Sequence, residues 1–179
     1  MSKERRIFVI FGIILLCIAV DQFTKEIAEN ALKFTPPISY LNGFFVFQYA
    51  ENSGALLGIF SDLPETIRFW LLTVSVGVLL ATLLGYILLN QKLAGTQTIA
   101  FSLIIGGGLS NFMDRLFNDG WVIDFMNMGI GSLRTGIFNF ADVVIMVGLG
   151  IIIVFGGLFR KKETVEFVEN ETSRNAARE

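Results

Sequence analysis

Four blocks of apolar sequence decide what this chain can fold into. They cover residues 7–24 (IFVIFGIILLCIAVDQFT), 67–89 (IRFWLLTVSVGVLLATLLGYILL), 97–116 (QTIAFSLIIGGGLSNFMDRL) and 138–159 (FNFADVVIMVGLGIIIVFGGLF). A helix needs roughly 20 predominantly apolar residues to cross the hydrocarbon of a bilayer, and each block is about that long. A soluble core has no need of such unbroken runs. The 17% charged residues and mean hydropathy of +0.64 point the same way. The expected fold is an all-α membrane protein with four transmembrane helices. The first block follows Lys3, Arg5 and Arg6 like a signal sequence, but Leu16 precedes Cys17 where cleavage needs a small residue, and three more blocks come after it; an uncleaved anchor is expected.

Lys and Arg placement gives the orientation. With the N-terminus inside, Lys3, Arg5, Arg6, Lys92, Arg160, Lys161 and Lys162 are all cytoplasmic. Lys25, Lys33, Arg68, Arg115 and Arg134 then fall outside, in or beside two longer loops at about 30–66 and 117–137. The first loop contains ISYLNGFFVFQYAENSG, whose aromatic and β-branched residues suggest a short sheet or hairpin at the membrane surface. Pro64 and Trp70 suggest a helix start lying in the interface. Residues 1–160 are read as one membrane domain and 161–179 as a polar, mobile cytoplasmic tail.

Two absences narrow the chemistry. The chain has no histidine, which removes Ser-His and Cys-His nucleophile pairs and the commonest zinc ligand. It has one cysteine, Cys17, so no internal disulfide is possible; inside an apolar run its thiol acts as a small inert hydrophobe. No basic stretch is interleaved with aromatics, so nucleic acid is not an expected partner.

The remaining polar residues converge on one side. Asp21 and Lys25 end the first block, Asn111, Asp114 and Arg115 end the third, and Asn139 and Asp142 open the fourth. Asp124 lies in the outer loop between the last two, within WVIDFM. Some of these have structural readings. Asp21 and Lys25 have the spacing of a helical ion pair. Asp114 beside Arg115 reads as an interfacial ion pair. Asp119 in NDG reads as a turn, and Gly106, Gly107 and Gly108 read as a close helix contact. Asp124 and Asp142 are harder to explain structurally, because a carboxylate opening an apolar run needs a partner. Two neighbouring carboxyls in a low-dielectric site share a proton, which suits aspartic peptidase chemistry without a metal or cofactor.

These segments resemble the prolipoprotein signal peptidases (signal peptidase II). The matching stretches are DQFTK at 21–25, NSGA at 52–55, GGGLSNFMDR at 106–115, VIDF at 122–125 and FNFAD at 138–142, in that order on a four-span frame over roughly 7–160. The resemblance implies a monomeric aspartyl endopeptidase of the bacterial inner membrane, with both termini cytoplasmic and its site near the outer face. It implies cleavage of diacylglyceryl-modified prolipoproteins just before the lipidated cysteine, with no cofactor. The catalytic pair carries over onto Asp124 and Asp142. Asn52, Gly54, Asn111, Arg115 and Asn139 match positions around the site, and Asp21 and Lys25 match a motif that shapes it. The outer region 40–66 would correspond to a surface cradle and an interfacial helix that receive the lipid-bearing substrate. Two departures stand out: Leu56-Leu57, where the family more often has Ala-Phe, and Ser110, where Gly is common. Three rival readings are a transporter with polar residues through the full bilayer depth, an assembly factor using Asp–Arg pairs as interhelical glue, and a Ser-Lys peptidase built on Lys25.

Overall fold

The computed structural model describes residues 2–55 and 59–155. Leu56-Leu57, Arg160 and the tail 161–179 lie outside the described residues. The apolar blocks form long helices: α1, Lys3–Leu32; α2, Glu65–Leu89; α3, Gly95–Phe117; and α4, Phe140–Phe155 as far as it is described. Helices α1 and α2 are long and apolar enough to cross a membrane. In α3, polar residues gathered at the C-terminal end (Asn111, Asp114 and Arg115) dilute the apolar run. The outward faces are apolar: Phe8 is 79% exposed and Leu15 64%. A water-soluble surface avoids such a belt, whereas a lipid-facing one requires it.

Helix α3 is central, and three consecutive glycines show why. Successive helical residues point about 100° apart, so Gly106, Gly107 and Gly108 face three different neighbours. A Cβ at Gly106 would lie 2.8 Å from Cys17 Cβ on α1; at Gly107, 2.5 Å from the Ala141 carbonyl oxygen on α4; at Gly108, 2.7 Å from Leu80 Cδ2 on α2. Below this level Ile10 and Ile14 of α1, Ile87 of α2 and Ile105 of α3 make a dry core. Arg6 is buried at that end and donates from Nη2 to the Ile87 carbonyl at 2.7 Å, satisfying one of the orphan acceptors at the C-terminus of α2.

At the other end of the bundle lies a four-stranded antiparallel sheet in the order β1-β2-β3-β4. Its strands are β1 (Ile38–Tyr40), β2 (Phe45–Asn52), β3 (Val122–Ile130) and β4 (Leu133–Arg134). The hairpin expected from ISYLNGFFVFQYAENSG is β1–β2, turned by Leu41, Asn42 and Gly43, all at positive φ. Two expectations are corrected. Asp124 is not in a loop: it sits in β3, the longest strand, whose apolar residues cover the ends of α1 and α3. The helix start expected at Pro64 is there, but the turns it opens do not stand apart as a separate surface helix. Pro64 caps Glu65–Arg68, and this first turn runs through π-helical turns at Phe69–Val74 straight into the rest of α2. Proline needs no N–H partner at a helix start, so it begins α2 without interrupting the turns after it.

Candidate active site

The site is assembled where the sheet meets the ends of α1, α3 and α4. Phe138 joins the edge of β3 by exchanging backbone hydrogen bonds with Met126 (2.8 and 2.9 Å), which delivers Asn139 and the start of α4 beside Asp124. Asn139 then caps α4. Its Oδ1 accepts the Asp142 backbone N–H at 3.0 Å, while the Asp142 carboxylate accepts the Asn139 backbone N–H at 3.1 Å. This reciprocal capping box satisfies orphan donors of the first turn and holds the Asp142 side chain back toward β3.

Asp124 is 2% exposed. It accepts Asn139 Nδ2 at 2.7 Å and Asn52 Nδ2 at 2.9 Å. Burial pushes its carboxyl up to about 7; the amides of Asn52 and Asn139 work against that rise, and the nearby Asp142 adds to it. Asn111 connects the two acids. Its Nδ2 donates to Asp142 Oδ1 at 3.0 Å, and its Oδ1 accepts Asn139 Nδ2 at 3.0 Å.

Asp21 and Lys25 stand behind Asn111. The Lys25 ammonium is 2.6 Å from Asp21 Oδ2, 2.7 Å from Asp114 Oδ2 and 2.9 Å from Asn111 Oδ1, with the lysine only 2% exposed. A buried cation is tolerable only with this many partners. Asp21 also accepts the Ala141 N–H at 2.8 Å, and Asp114 accepts the Ile123 N–H at 3.2 Å. One cluster thereby ties α1 and α3 to the first turn of α4 and to β3. The helical pair Asp21–Lys25 forms as its spacing suggests. The Asp114–Arg115 pair does not, because adjacent helical residues point about 100° apart. Asp114 turns to Lys25, and Arg115 turns to the loop after β2, donating to the Gly54 carbonyl at 2.8 Å. Gly54 in turn donates its N–H to Asn52 Oδ1 at 2.9 Å, so Arg115 and Gly54 hold the asparagine that touches Asp124.

All nine residues singled out from the sequence meet in this network. Two others were missed. Gln22 donates to Asp114 Oδ1 at 2.7 Å, and Ser110 donates to Asp21 Oδ2 at 2.7 Å. Ser110 therefore adds a hydrogen bond to a buried carboxylate. Gln22 lies inside the DQFTK stretch, where the spacing of three places it beside the ion pair; Ser110 carried no signal beyond its position before Asn111.

Asp124 and Asp142 both line a cavity of about 230 Å³, with Asn52, Asn111 and Arg115 at its polar end. Leu72 and Val76 of α2 and Ile145, Met146 and Leu149 of α4 extend it as an apolar slot. One buried and one half-buried carboxyl, held by neutral amides at the head of an apolar slot, have the means to share one proton beside an apolar ligand, as aspartic peptidases require.

Comparison with known proteins agrees. The family described as Signal peptidase (SPase) II matches residues 13–158. A lipoprotein signal peptidase of Sphingopyxis alaskensis is 34% identical over 166 residues, spanning 90% of this chain and 94% of that one. The Francisella tularensis subsp. novicida protein of the same name is 32% identical over 155 residues, spanning 86% and 94%. A solved bacterial membrane enzyme superposes with a TM-score of 0.72 at 26% identity, over 87% of this chain and 90% of that one. The chain is thus a bacterial-type membrane enzyme in architecture. It belongs to the signal peptidase II family.

Proposed function

We propose that Asp124 and Asp142 are the catalytic pair of a membrane-embedded aspartyl endopeptidase that cuts prolipoproteins just before their diacylglyceryl cysteine. As a member of its family, the chain is an aspartic-type peptidase that removes signal peptides from prolipoproteins. The observation that carries the residue assignment is the bridge at Asn139, which hydrogen-bonds both acids at the head of an apolar slot. The Lys/Arg rule supports a four-span reading with both termini cytoplasmic and the site at the outer end, because Arg6 and Lys92 lie at the end of the bundle opposite the acids. A substrate held in the bilayer by its acyl chains presents its scissile bond at that depth. The apolar slot accepts the lipid or the signal helix beside the acids. No further partner is needed, and the chain acts as a monomer of residues 1–160 followed by a tail.

The transport reading finds less support. Thr98 and Ser102, the buried hydroxyls of the inner half of α3, are spent on carbonyls of their own helix, and Arg6 is engaged by Ile87. The test is to give purified protein a diacylglyceryl-modified prolipoprotein and compare it with Asp124→Asn and Asp142→Asn. Wild type cuts before the modified cysteine, and each variant loses at least about a thousandfold in rate, as removal of an essential acid or base does. Persistent cleavage by either variant removes that residue from the pair.

A further inference from the structure

We propose that Lys25 is a positioning residue that decides which aspartate carries the shared proton: it locks Asn111 with its amide toward Asp142, making Asp142 the water-activating carboxylate and Asp124 the acid. The inference rests on the catalytic-pair reading above.

The two faces of an asparagine amide are told apart by partners whose own role is fixed. The Lys25 ammonium can only donate, so the Asn111 atom 2.9 Å away is Oδ1 and its Nδ2 faces Asp142. The Asp142 backbone N–H can only donate, so it fixes Asn139 Oδ1 and turns Nδ2 to Asp124. The Gly54 N–H fixes Asn52 in the same way. With all three amides determined, the acids differ in what surrounds them. Asp142 is the third residue of α4, where the helix dipole favours negative charge, and its carboxylate also holds a backbone N–H. It is one amide away from a buried ammonium. Asp124 lies in a strand, where dipoles largely cancel. One of its two donors, Asn139 Nδ2, is divided with Asn111 Oδ1 and the Ile123 carbonyl. The other charges facing the pair are Arg115, which lines the cavity, and Asp21 and Asp114, both held on Lys25. Negative charge therefore settles on Asp142.

The step then balances. Asp142 carboxylate takes a proton from water as the water oxygen bonds to the scissile carbonyl carbon. Asp124 gives its proton to the carbonyl oxygen, leaving a gem-diol, a protonated Asp142 and an ionised Asp124. Asp142 next protonates the amide nitrogen while Asp124 takes a hydroxyl proton, and the C–N bond breaks. Both acids return to their starting states.

The assignment is read directly by infrared spectroscopy of purified protein at about pH 6, below the value of about 7 at which Asp124 titrates, with the Asp124→Asn/Asp142→Asn double variant as baseline. A protonated-carboxyl absorption is expected in wild type and is absent from Asp124→Asn, while in Asp142→Asn, where the neighbouring charge that raises Asp124 is gone, it titrates at lower pH than in wild type; an absorption that survives in Asp124→Asn, or that Asp142→Asn shifts to higher pH, overturns the proposal. The readout needs no substrate, so failure to cut prolipoprotein alongside the expected pattern would sink the functional reading alone. The role of Lys25 is read from Lys25→Met, which removes the donor that locks Asn111. The acid limb of kcat/KM, which reports the free enzyme's base, is expected to move up by about one pH unit, because a group that favoured the carboxylate is gone. A lower plateau with an unmoved limb would make Lys25 merely structural and overturn its role.

Discussion

Gly107→Ala should damage catalysis from a position that touches no reacting atom. The added Cβ would meet the Ala141 carbonyl oxygen at 2.5 Å, Ile145 Cγ1 at 2.8 Å and Val144 Cγ2 at 2.9 Å. The side chains can rotate, but the carbonyl is backbone and cannot, so α3 and α4 must separate by several tenths of an ångström. Alanine itself favours the helix by about 1 kcal/mol over glycine, whereas overpacking costs about 1–3 kcal/mol, at the upper end against backbone. The net loss is about 1–2 kcal/mol, or roughly 3–6 °C in Tm for a chain of this size. Gly107 is one turn before Asn111, and Ala141 adjoins Asp142, so the separation stretches the 3.0 Å Asn111–Asp142 hydrogen bond. A misplacement of 1 Å costs on the order of a hundredfold; a fraction of that predicts a fall in kcat of about tenfold with KM little changed. Gly12→Ala is the control, because nothing lies within 4 Å of its Cβ, and it should raise stability by up to about 1 kcal/mol. Melting in detergent and steady-state kinetics on a lipid-modified peptide decide the matter. Wild-type Tm and kcat in Gly107→Ala would mean that α3 and α4 absorb the methyl without moving the pair, and the link from this contact to catalysis would be wrong.

Single contacts give the other predictions. If Asp124 is the acid proposed above, activity should fall as pH rises through about 7, where its carboxyl loses its proton. Asn52→Ala removes an N–H that favours the Asp124 carboxylate, so this basic limb should move to higher pH while kcat drops by about tenfold or more; a pH–rate profile checks both. Arg6→Ala should leave the buried Ile87 carbonyl unpaired and cost about 1–3 kcal/mol of stability, seen as a lower Tm with kcat unchanged, because Arg6 lies at the opposite end of the bundle from the pair.

The helices were legible because lipid imposes one rule, a long apolar run, on every span. The convergence of Asp21, Lys25, Asn111, Asp124, Asn139 and Asp142 was legible for the complementary reason that charge at a span end is costly without a use. What the residues bond to was not. Spacing correctly paired Asp21 with Lys25, yet nothing in the sequence says that Asp114, on another helix, completes the cluster. Strand β3 was read as loop because its apolar residues are broken by Asp124 and Asn127, both of which turn out to be buried and hydrogen-bonded. Asn139 and Asp142 carry a readable sign, a capping pair three residues apart, which shows why the second acid stands at a helix start.

The least legible feature is also the one that places Asn52. From Phe45 and Phe47, which face Met128 and Met126, strict alternation would carry Tyr49 and Glu51 onto the Asp124 side of the sheet and turn Asn52 away. A third carboxylate, Glu51, would then stand beside the two acids and compete for the charge that they share. The register instead jumps between Phe47 and Ala50, so that Gln48 and Tyr49 together oppose Phe125, and Ala50 pairs with Asp124. This β-bulge exchanges the faces beyond it. Asn52, two residues along from Ala50, becomes the diagonal neighbour of Asp124 and reaches it at 2.9 Å. Glu51 turns the other way, to the Tyr49 hydroxyl at 2.8 Å and the Lys33 ammonium at 3.5 Å. One inserted residue thus gives Asp124 a neutral donor in place of a third acid, so that burial raises its carboxyl to about 7 against the pull of the Asn52 amide, with Asp142 as the one acid beside it that adds to the rise.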